Sequence, residues 1–383
     1  MSAVTISRCE EYLPEQVTAA IDAALSPLGG MAAFVSPGQR VLLKVNLLSR
    51  ATPDRAVTTH PEFVRAVIRQ VRAAGGVPRV GDSPGGPNTI SAIKRIWQDS
   101  GIAQVCAEED AELLLFDEDC VRAPAENGHL YTSFTLGRAV VETDVLITLP
   151  KFKTHGFMMF TGAVKNLFGC IPGLEKAQYH LKVPDREDFG EMLVDLLIAC
   201  KPSLALMDAI VGMEGDGPAG GTPRQIGAVL ASADCLALDV VASAMAGLDP
   251  LEVYTNKAAH RRGLSVATAD EVEIIGEEWQ SLAPAGFKLP PRDMSVRMPA
   301  WLSRRARSWV TARPTLARPR ECTRCRKCEQ SCPVGAVAVG PGGPVFDHSL
   351  CIRCYCCQEL CPPQAIGLAT PPLARLAMRG RDF

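Results

Sequence analysis

Two cysteine runs near the end of the chain have the spacing of metal ligands. ECTRCRKCEQSCP starts at Glu321 and LCIRCYCCQELCP at Leu350, and together they hold nine of the fifteen cysteines. Each run reads Cys-x2-Cys-x2-Cys-x3-Cys-Pro, a spacing that bacterial proteins with two iron–sulfur clusters use. Three close cysteines wrap one corner of a cubane, and the fourth, before the proline, points away towards the other cluster. The spacing therefore predicts two [4Fe–4S] clusters. Cys322, Cys325, Cys328 and Cys361 would hold one, and Cys351, Cys354, Cys357 and Cys332 the other. Thiolates also suit zinc, but a four-thiolate zinc site usually draws on paired Cys-x2-Cys hairpins, and two complete copies point to iron–sulfur. Cys356 is extra. It reads as a small buried filler or free thiol, or else as an alternative ligand or a group that tunes the cluster.

A second stretch carries a different chemistry. LPKFKTHGFMMFTGAVKNLFGCIPGLEKAQYH, Leu149 to His180, holds four lysines (Lys151, Lys153, Lys165 and Lys176), two of the six histidines (His155 and His180) and Cys170. It also carries Phe152, Phe157, Met158, Met159, Phe160 and Phe168. Apolar walls with a few convergent polar groups describe a small-molecule pocket, and lysines suit an anion. A histidine, whose charge changes near neutral pH, suits proton delivery. The plainer reading is a helix and loop with surface lysines.

Other segments lead to the same place. Lys44 and Asn46 interrupt an apolar run, LLKVNLL, where a charge is costly unless paired. TTHP (Thr58 to Pro61) enters a helix, whose start can bind an anion. GDSPGG follows a strand, and its Asp82 reads as a metal ligand, a base or a turn residue. GMEGDGPAGG is a glycine-rich loop that lacks the Gly-Lys-Ser/Thr of a phosphate-binding Walker loop.

These residues need elements to position them. Continuous apolar runs recur at Arg40 to Leu48, Val77 to Ser83, Asp144 to Pro150, Ser203 to Ile210, Ile226 to Ser232 and Glu271 to Gly276. They read as strands covered on both faces. Between them, HPEFVRAVIRQVRAAGG and NTISAIKRIWQDSG carry apolar residues at helical steps, and DCLALDVVASAMAG opens on a capping Asp234. The alternation predicts an α/β domain with a mostly parallel sheet over residues 1–288, whose sites form at the carboxyl ends of strands. Residues 289–320 hold seven arginines from Arg297 to Arg320 and read as a basic linker or a packed helix; a basic amphipathic helix on a membrane or acidic partner is the alternative. Residues 321–372 form a third unit, a duplication offset by 29.

The chain has 383 residues, a net charge of −2 and 47% hydrophobic residues, so no global field draws it to nucleic acid. No apolar run reaches membrane-spanning length, and no secretory signal opens the chain. Clustered thiols without a signal imply a reducing compartment, the cytoplasm.

The motifs KVNLL, THPEFVRAVI, GDSPGG, LPKFKTHGF, TGAVKNLFGCIPG and GMEGDGP, with the two cysteine runs, resemble iron–sulfur centre proteins. In these, a domain of unknown function, 362, is fused to a bacterial-type 2[4Fe–4S] ferredoxin domain. The resemblance spans nearly the whole chain and implies a redox protein without an established reaction. The central stretch is also similar to nickel-pincer lactate racemases. That likeness implies a shared fold and site location, with Lys165 as the position that bears the pincer, His180 the nickel ligand and His155 the proton carrier. Thr161-Gly162-Ala163-Val164 departs from the Ser-Gly-Gly of those enzymes, which also lack a cysteine-rich tail.

The expected function is an iron–sulfur oxidoreductase passing electrons from the clusters to a small anionic molecule. Lys44, Asn46, Asp82, Lys153 and Lys165 would bind it beside His155 and His180. The alternatives are an electron-transfer or maturation subunit docking a redox partner protein, and a cofactor-dependent isomerase.

Overall fold

The computed structural model describes residues 2–86, 88–291 and 311–371. The centre of the expected linker, residues 292–310, lies outside the described residues. The large domain contributes strands β1 (Ala3–Arg8), β2 (Arg40–Lys44), β3 (Val77–Asp82) and β4 (Glu112–Leu115), then a separate hairpin of β5 (Cys120–Pro124) and β6 (Ser133–Gly137). There follow β7 (Val145–Thr148), β8 (Lys151–His155), β9 (Met159–Phe160), β10 (Leu204–Glu214), β11 (Thr222–Ser232) and β12 (Glu273–Gly276).

All but the hairpin join one ten-stranded sheet in the order β12-β1-β11-β10-β7-β2-β3-β4, with β8 beside β10 and β9 beside β8. Pairing is parallel through β7, β2, β3 and β4 and antiparallel where β11 meets β1 and β10. The sheet is mostly parallel, as the apolar runs imply. Each of the six runs contains a strand, but β2 stops at Lys44 and not at Leu48. There the backbone leaves the ladder, and the Asn46 N–H donates to Thr59 Oγ1 at 2.8 Å.

Neighbouring residues of one strand feed two cores, because strand side chains alternate. Leu42 packs with Leu146, Phe189 and Leu238 on one face, and Leu43 packs with Phe63, Val67 and Trp97 on the other. The helix Pro61–Ala73 buries Phe63, Val64, Val67, Ile68 and Val71. Asp234 caps the helix Cys235–Met245 by accepting from the N–H groups of Leu236 and Ala237. His60 caps its own helix by accepting from the Glu62 N–H, and Thr59 Oγ1 donates to Leu149 O. The side chains of Thr59 and His60 in the TTHP corner are thus engaged in structural bonds.

The cysteine-rich end is a small module. β13 (Arg313–Leu316) pairs antiparallel with β16 (Ile366–Ala369), and β14 (Val337–Gly340) pairs with β15 (Gly343–Phe346). Arg313–Leu316 was expected in the linker, and its pairing with the last strand makes it part of this module. The duplication is visible in the backbone. Left-handed residues occur at Arg324 and Arg326 (φ 53° and 61°) and again 29 positions on at Arg353 and Tyr355 (φ 61° and 62°). Short helices Lys327–Gln330 and Cys356–Glu359 follow at the same offset. The module sits against the large domain: Gln358 Nε2 donates to Asp216 O at 2.7 Å and Arg186 Nη2 to the Tyr355 hydroxyl at 3.1 Å.

A buried network fixes the strand that brings Lys153 and His155 into place. Lys151, at the start of β8, donates to Asp208 Oδ2 and to the Tyr12 hydroxyl, both at 2.7 Å. Asp208 also accepts from the Tyr12 hydroxyl and the His60 N–H. Removing one member of a buried pair strands the other charge. Lys151→Met is expected to cost about 3–5 kcal/mol, read as a lower urea midpoint at unchanged slope.

Candidate functional site

The carboxyl ends of β2, β3 and β8 meet one cavity of about 240 Å³ beneath the cysteine module. Its floor begins with a buried ion pair. Lys44 Nζ lies 2.8 Å from Asp82 Oδ2 and also donates to Val45 O at 2.6 Å. Asp82 accepts in addition from the N–H groups of Leu47 (2.8 Å) and Ser83 (2.7 Å). Asn166 closes the group: its Oδ1 accepts from Asn46 Nδ2 at 3.0 Å, and its Nδ2 donates to Thr148 Oγ1 at 2.9 Å. Gly169 passes over this group so closely that a Cβ would lie 2.1 Å from Asp82 Oδ1, so only glycine fits.

The Leu149–His180 stretch supplies the wall. Lys153 points inward from β8 and donates to Val57 O at 2.6 Å. His155 accepts the Phe157 N–H at Nδ1 (3.1 Å), which leaves its proton on Nε2, 3.3 Å from Glu359 Oε1. Lys165 follows a turn held by Asp239, whose carboxylate accepts from the Ala163 and Val164 N–H groups. Gly162, at φ +43°, lies against that carboxylate, where a Cβ would be 2.4 Å away. Lys165 Nζ sits 4.6 Å from the Phe168 ring centre and makes no hydrogen bond or ion pair with a described residue. Lys176 donates to Ser83 O from the helix Gly173–Lys182.

His180, on the same helix, is enclosed by Phe157, Phe168 and Phe189, stacking on the last at 4.7 Å. Its Nδ1 is buried without a partner, as are Asn46 Oδ1, Ser83 Oγ and Thr161 Oγ1 around the same cavity. Buried polar atoms are ordinarily paired, so these orphans, with Glu359 Oε1 a fifth among the described residues, mark a place for ligand or water.

Burial sets the charges. Desolvation lowers Lys153 to about 7 and Lys176 to about 8, and lowers Lys165 too, where Glu359 opposes it. Desolvation, reinforced by Lys165, lowers His180 to about 3, and the same causes hold His155 well below its ordinary value. Both imidazoles are neutral at pH 7. The cavity is therefore a set of hydrogen-bonding groups around lysines whose charged form a bound anion would favour.

The seven large-domain residues expected to bind the anion or move a proton (Lys44, Asn46, Asp82, Lys153, His155, Lys165 and His180) line this cavity, whereas Lys151 and Cys170 of the same stretch do not. Lys176, Asn166, Thr161 and Ser83 join them. Lys176 was already named among the four lysines of the Leu149–His180 stretch, and it lies one helical turn before His180. Cys356 and Glu359 come from the cysteine module and complete the wall; nothing in their local sequence ties them to a lysine pocket. Cys356 is buried, as a filler would be, but it also faces the cavity and hydrogen-bonds with Cys354.

Cys322, Cys325, Cys328 and Cys361 line one small cavity. Cys357 lies within electrostatic reach of Cys351, Cys354 and Cys332, and also of Cys328. Cys332 Sγ accepts the Ala336 N–H at 3.1 Å, and Cys361 Sγ accepts the Ala365 N–H at 3.2 Å, again 29 residues apart. Among the described residues no group of three or more His, Cys, Asp or Glu is arranged to hold a metal ion. Nor is any described helix long and apolar enough to cross a membrane.

The family model of a domain of unknown function, DUF362, matches residues 41–244. A thylakoid-associated protein of Synechocystis is 36% identical over 301 residues, which cover 76% of this chain and 92% of the relative. Among solved structures, the lactate racemase apoprotein of Thermoanaerobacterium thermosaccharolyticum aligns with a TM-score of 0.38 at 13% identity, over 61% of this chain and 55% of that one. A Thermotoga maritima protein aligns with the same score and identity over 67% and 60%. The chain thus spans less than two thirds of either structure.

The neutral state of His180 has a measurable cost in acid. Its folded value lies below the unfolded one near 6.5, so its share of stability is complete above that pH and is lost as pH falls towards about 3. His60, lowered to about 4 by burial, acts in the same sense. By pH 5 the stability lost through His180 amounts to about 2 kcal/mol. His180→Phe should flatten the fall in denaturation midpoint between pH 7 and 5; equal slopes in the two proteins would contradict a buried neutral imidazole.

Proposed function

This chain belongs to the DUF362 family, whose name assigns no reaction, and from that premise we propose that it is an iron–sulfur redox protein acting on a small anion. The observation that carries this reading is the shared cavity. Its lysines and histidines come from strands and helices of the large domain, while Cys356 and Glu359 come from the segment that also holds Cys354 and Cys357. Electrons held by that segment and a ligand held by those lysines would meet at one wall.

The donor set fits two [4Fe–4S] clusters. Eight soft thiolates fall into two groups of four, and a cubane spreads its ligands around a multi-iron core, where a mononuclear site must close them on one ion. Cys322, Cys325, Cys328 and Cys361 would hold one cluster, and Cys351, Cys354, Cys357 and Cys332 the other. The N–H groups of Ala336 and Ala365, directed at ligand sulfurs, are the kind of contact that tunes a cluster's potential. When bound, the clusters supply single electrons. The last 60 or so residues would then be a bacterial-type ferredoxin domain, and the cytoplasm expected from the free thiols suits it.

The chain's own residues supply the rest. Lys165, the cavity lysine without a bond of its own, anchors the anionic group, with Lys153 beside it. Asn46, Thr161 and Ser83 offer open hydrogen-bonding atoms to the remainder of the ligand. His155, with its proton on Nε2, and the neutral His180 can move a proton at the ligand. Phe168, Leu47 and Leu360 keep water from the far side. Asp239 positions Lys165 through the turn before it.

Anaerobically purified protein should carry about eight irons per chain, and Cys354→Ser should lose about half of them. Inorganic phosphate or oxalate should bind the native protein, and Lys165→Ala should weaken that binding by about tenfold or more, the usual range for losing a charged hydrogen bond. Iron-free protein, or unchanged anion affinity, would remove the reading. Intact mass spectrometry also separates it from a cofactor-dependent isomerase, which would carry an adduct on Lys165.

A further inference from the structure

The two cysteine groups are not equivalent in position. The loop of Cys354 and Cys357 is pressed against the large domain: Tyr355 is buried, with its hydroxyl donating to Ala312 O at 2.9 Å, and Gln358 is tied to Asp216. Cys356, between them, forms cavity wall. The other group ends at the surface. Cys325 is the one exposed cysteine among the described residues, and the cavity it shares with Cys322, Cys328 and Cys361 is rimmed by Arg324, Arg326 and Lys327.

Charge is concentrated on that rim. The chain as a whole carries −2, yet residues 320–327 carry Arg320, Arg324, Arg326 and Lys327 against Glu321. Glu329 is taken up by Arg326 at 2.7 Å. Arg320, Arg324 and Lys327 make no ion pair with a described residue. Arg320 and Arg324 are exposed and Lys327 is half-buried, next to Cys328. Strand β15 adds an apolar contact: Gly343 lies beside Cys322, a Cβ there falling 3.6 Å from its sulfur, and Val345, two residues on, is 69% exposed.

We propose that the face around Cys325 is the docking surface for an acidic electron-carrier protein, and that electrons enter there and leave at Cys356. The inference rests on the cluster reading above. A positive rim raises the local concentration of a negative partner and aligns it before contact, with an effect that falls as salt rises. It sits where a partner can approach a cluster ligand most closely. The opposite end is closed to proteins by the large domain and open to the small ligand of the cavity. The redox step is balanced: one electron leaves the reduced carrier and reduces one [4Fe–4S] cluster, with no proton or further reagent.

The test uses the full chain, loaded with clusters, and a reduced acidic plant-type ferredoxin as the probe. The rate of cluster reduction should fall steeply between low and high salt. The Arg320→Glu/Lys327→Glu variant should be reduced about tenfold or more slowly at low salt, in keeping with electrostatic steering. Reduction by a small viologen should be equal in both proteins, and equal iron content excludes misfolding. Rates that ignore both salt and charge reversal, with clusters present, overturn the docking surface alone. A chain that binds no iron overturns the cluster reading and this surface with it.

Discussion

The Lys44–Asp82 ion pair is the constraint on which the site depends. A lysine at the end of one central strand and an aspartate at the end of its neighbour are both fully buried at 2.8 Å. Each alone would be costly there, so neither can be removed without the other. The pair does more than cancel charge. Asp82 holds the backbone of Leu47 and Ser83, and Lys44 is linked to Asn166, which joins the helix carrying Lys165 to the strand carrying Thr148. Two loops, a strand and a helix are thereby set by one pair. Gly169 crosses directly above it and fixes the level at which Phe168 and the following helix begin.

With that pair neutralised internally, the remaining lysines define the cavity's character. Lys153 and Lys176 spend their protons on backbone carbonyls, while Lys165 faces an aromatic ring. The carboxylate that moderates Lys153 and Lys165, Glu359, comes from the other module, while Lys176 is moderated by Asp82 and Asp117. The site is therefore electrostatically complete only when both modules are in place, and its two histidines stay neutral because lysines and apolar walls surround them.

Much of this was legible in the sequence, for identifiable reasons. The sheet showed in apolar runs because strands covered on both faces have no polar side to break the pattern. The lysines and histidines of Leu149–His180 stood out because charged groups among phenylalanines need a reason to be there. The repeat was legible in cysteine spacing, and the recurring left-handed residues give it a backbone counterpart. What stayed hidden was long-range. The contact of Glu359 with His155 joins positions about 200 residues apart. The end of β2 at Lys44 is set by Thr59, a partner no local pattern names. TTHP suggested an open helix start because its own side chains, which fill that start, cannot be placed from four letters.

Gly85 and Gly86 touch Leu360, where a Cβ on either would lie 3.0 Å from its methyl groups. That contact joins an early loop to a late one, and it has a consequence for how the protein is made. On the ribosome the sheet and its lysines emerge well before Leu360 does, so the nascent chain holds an open, water-filled basin in place of a cavity. Only after the second cysteine run has been synthesised can the basin be roofed.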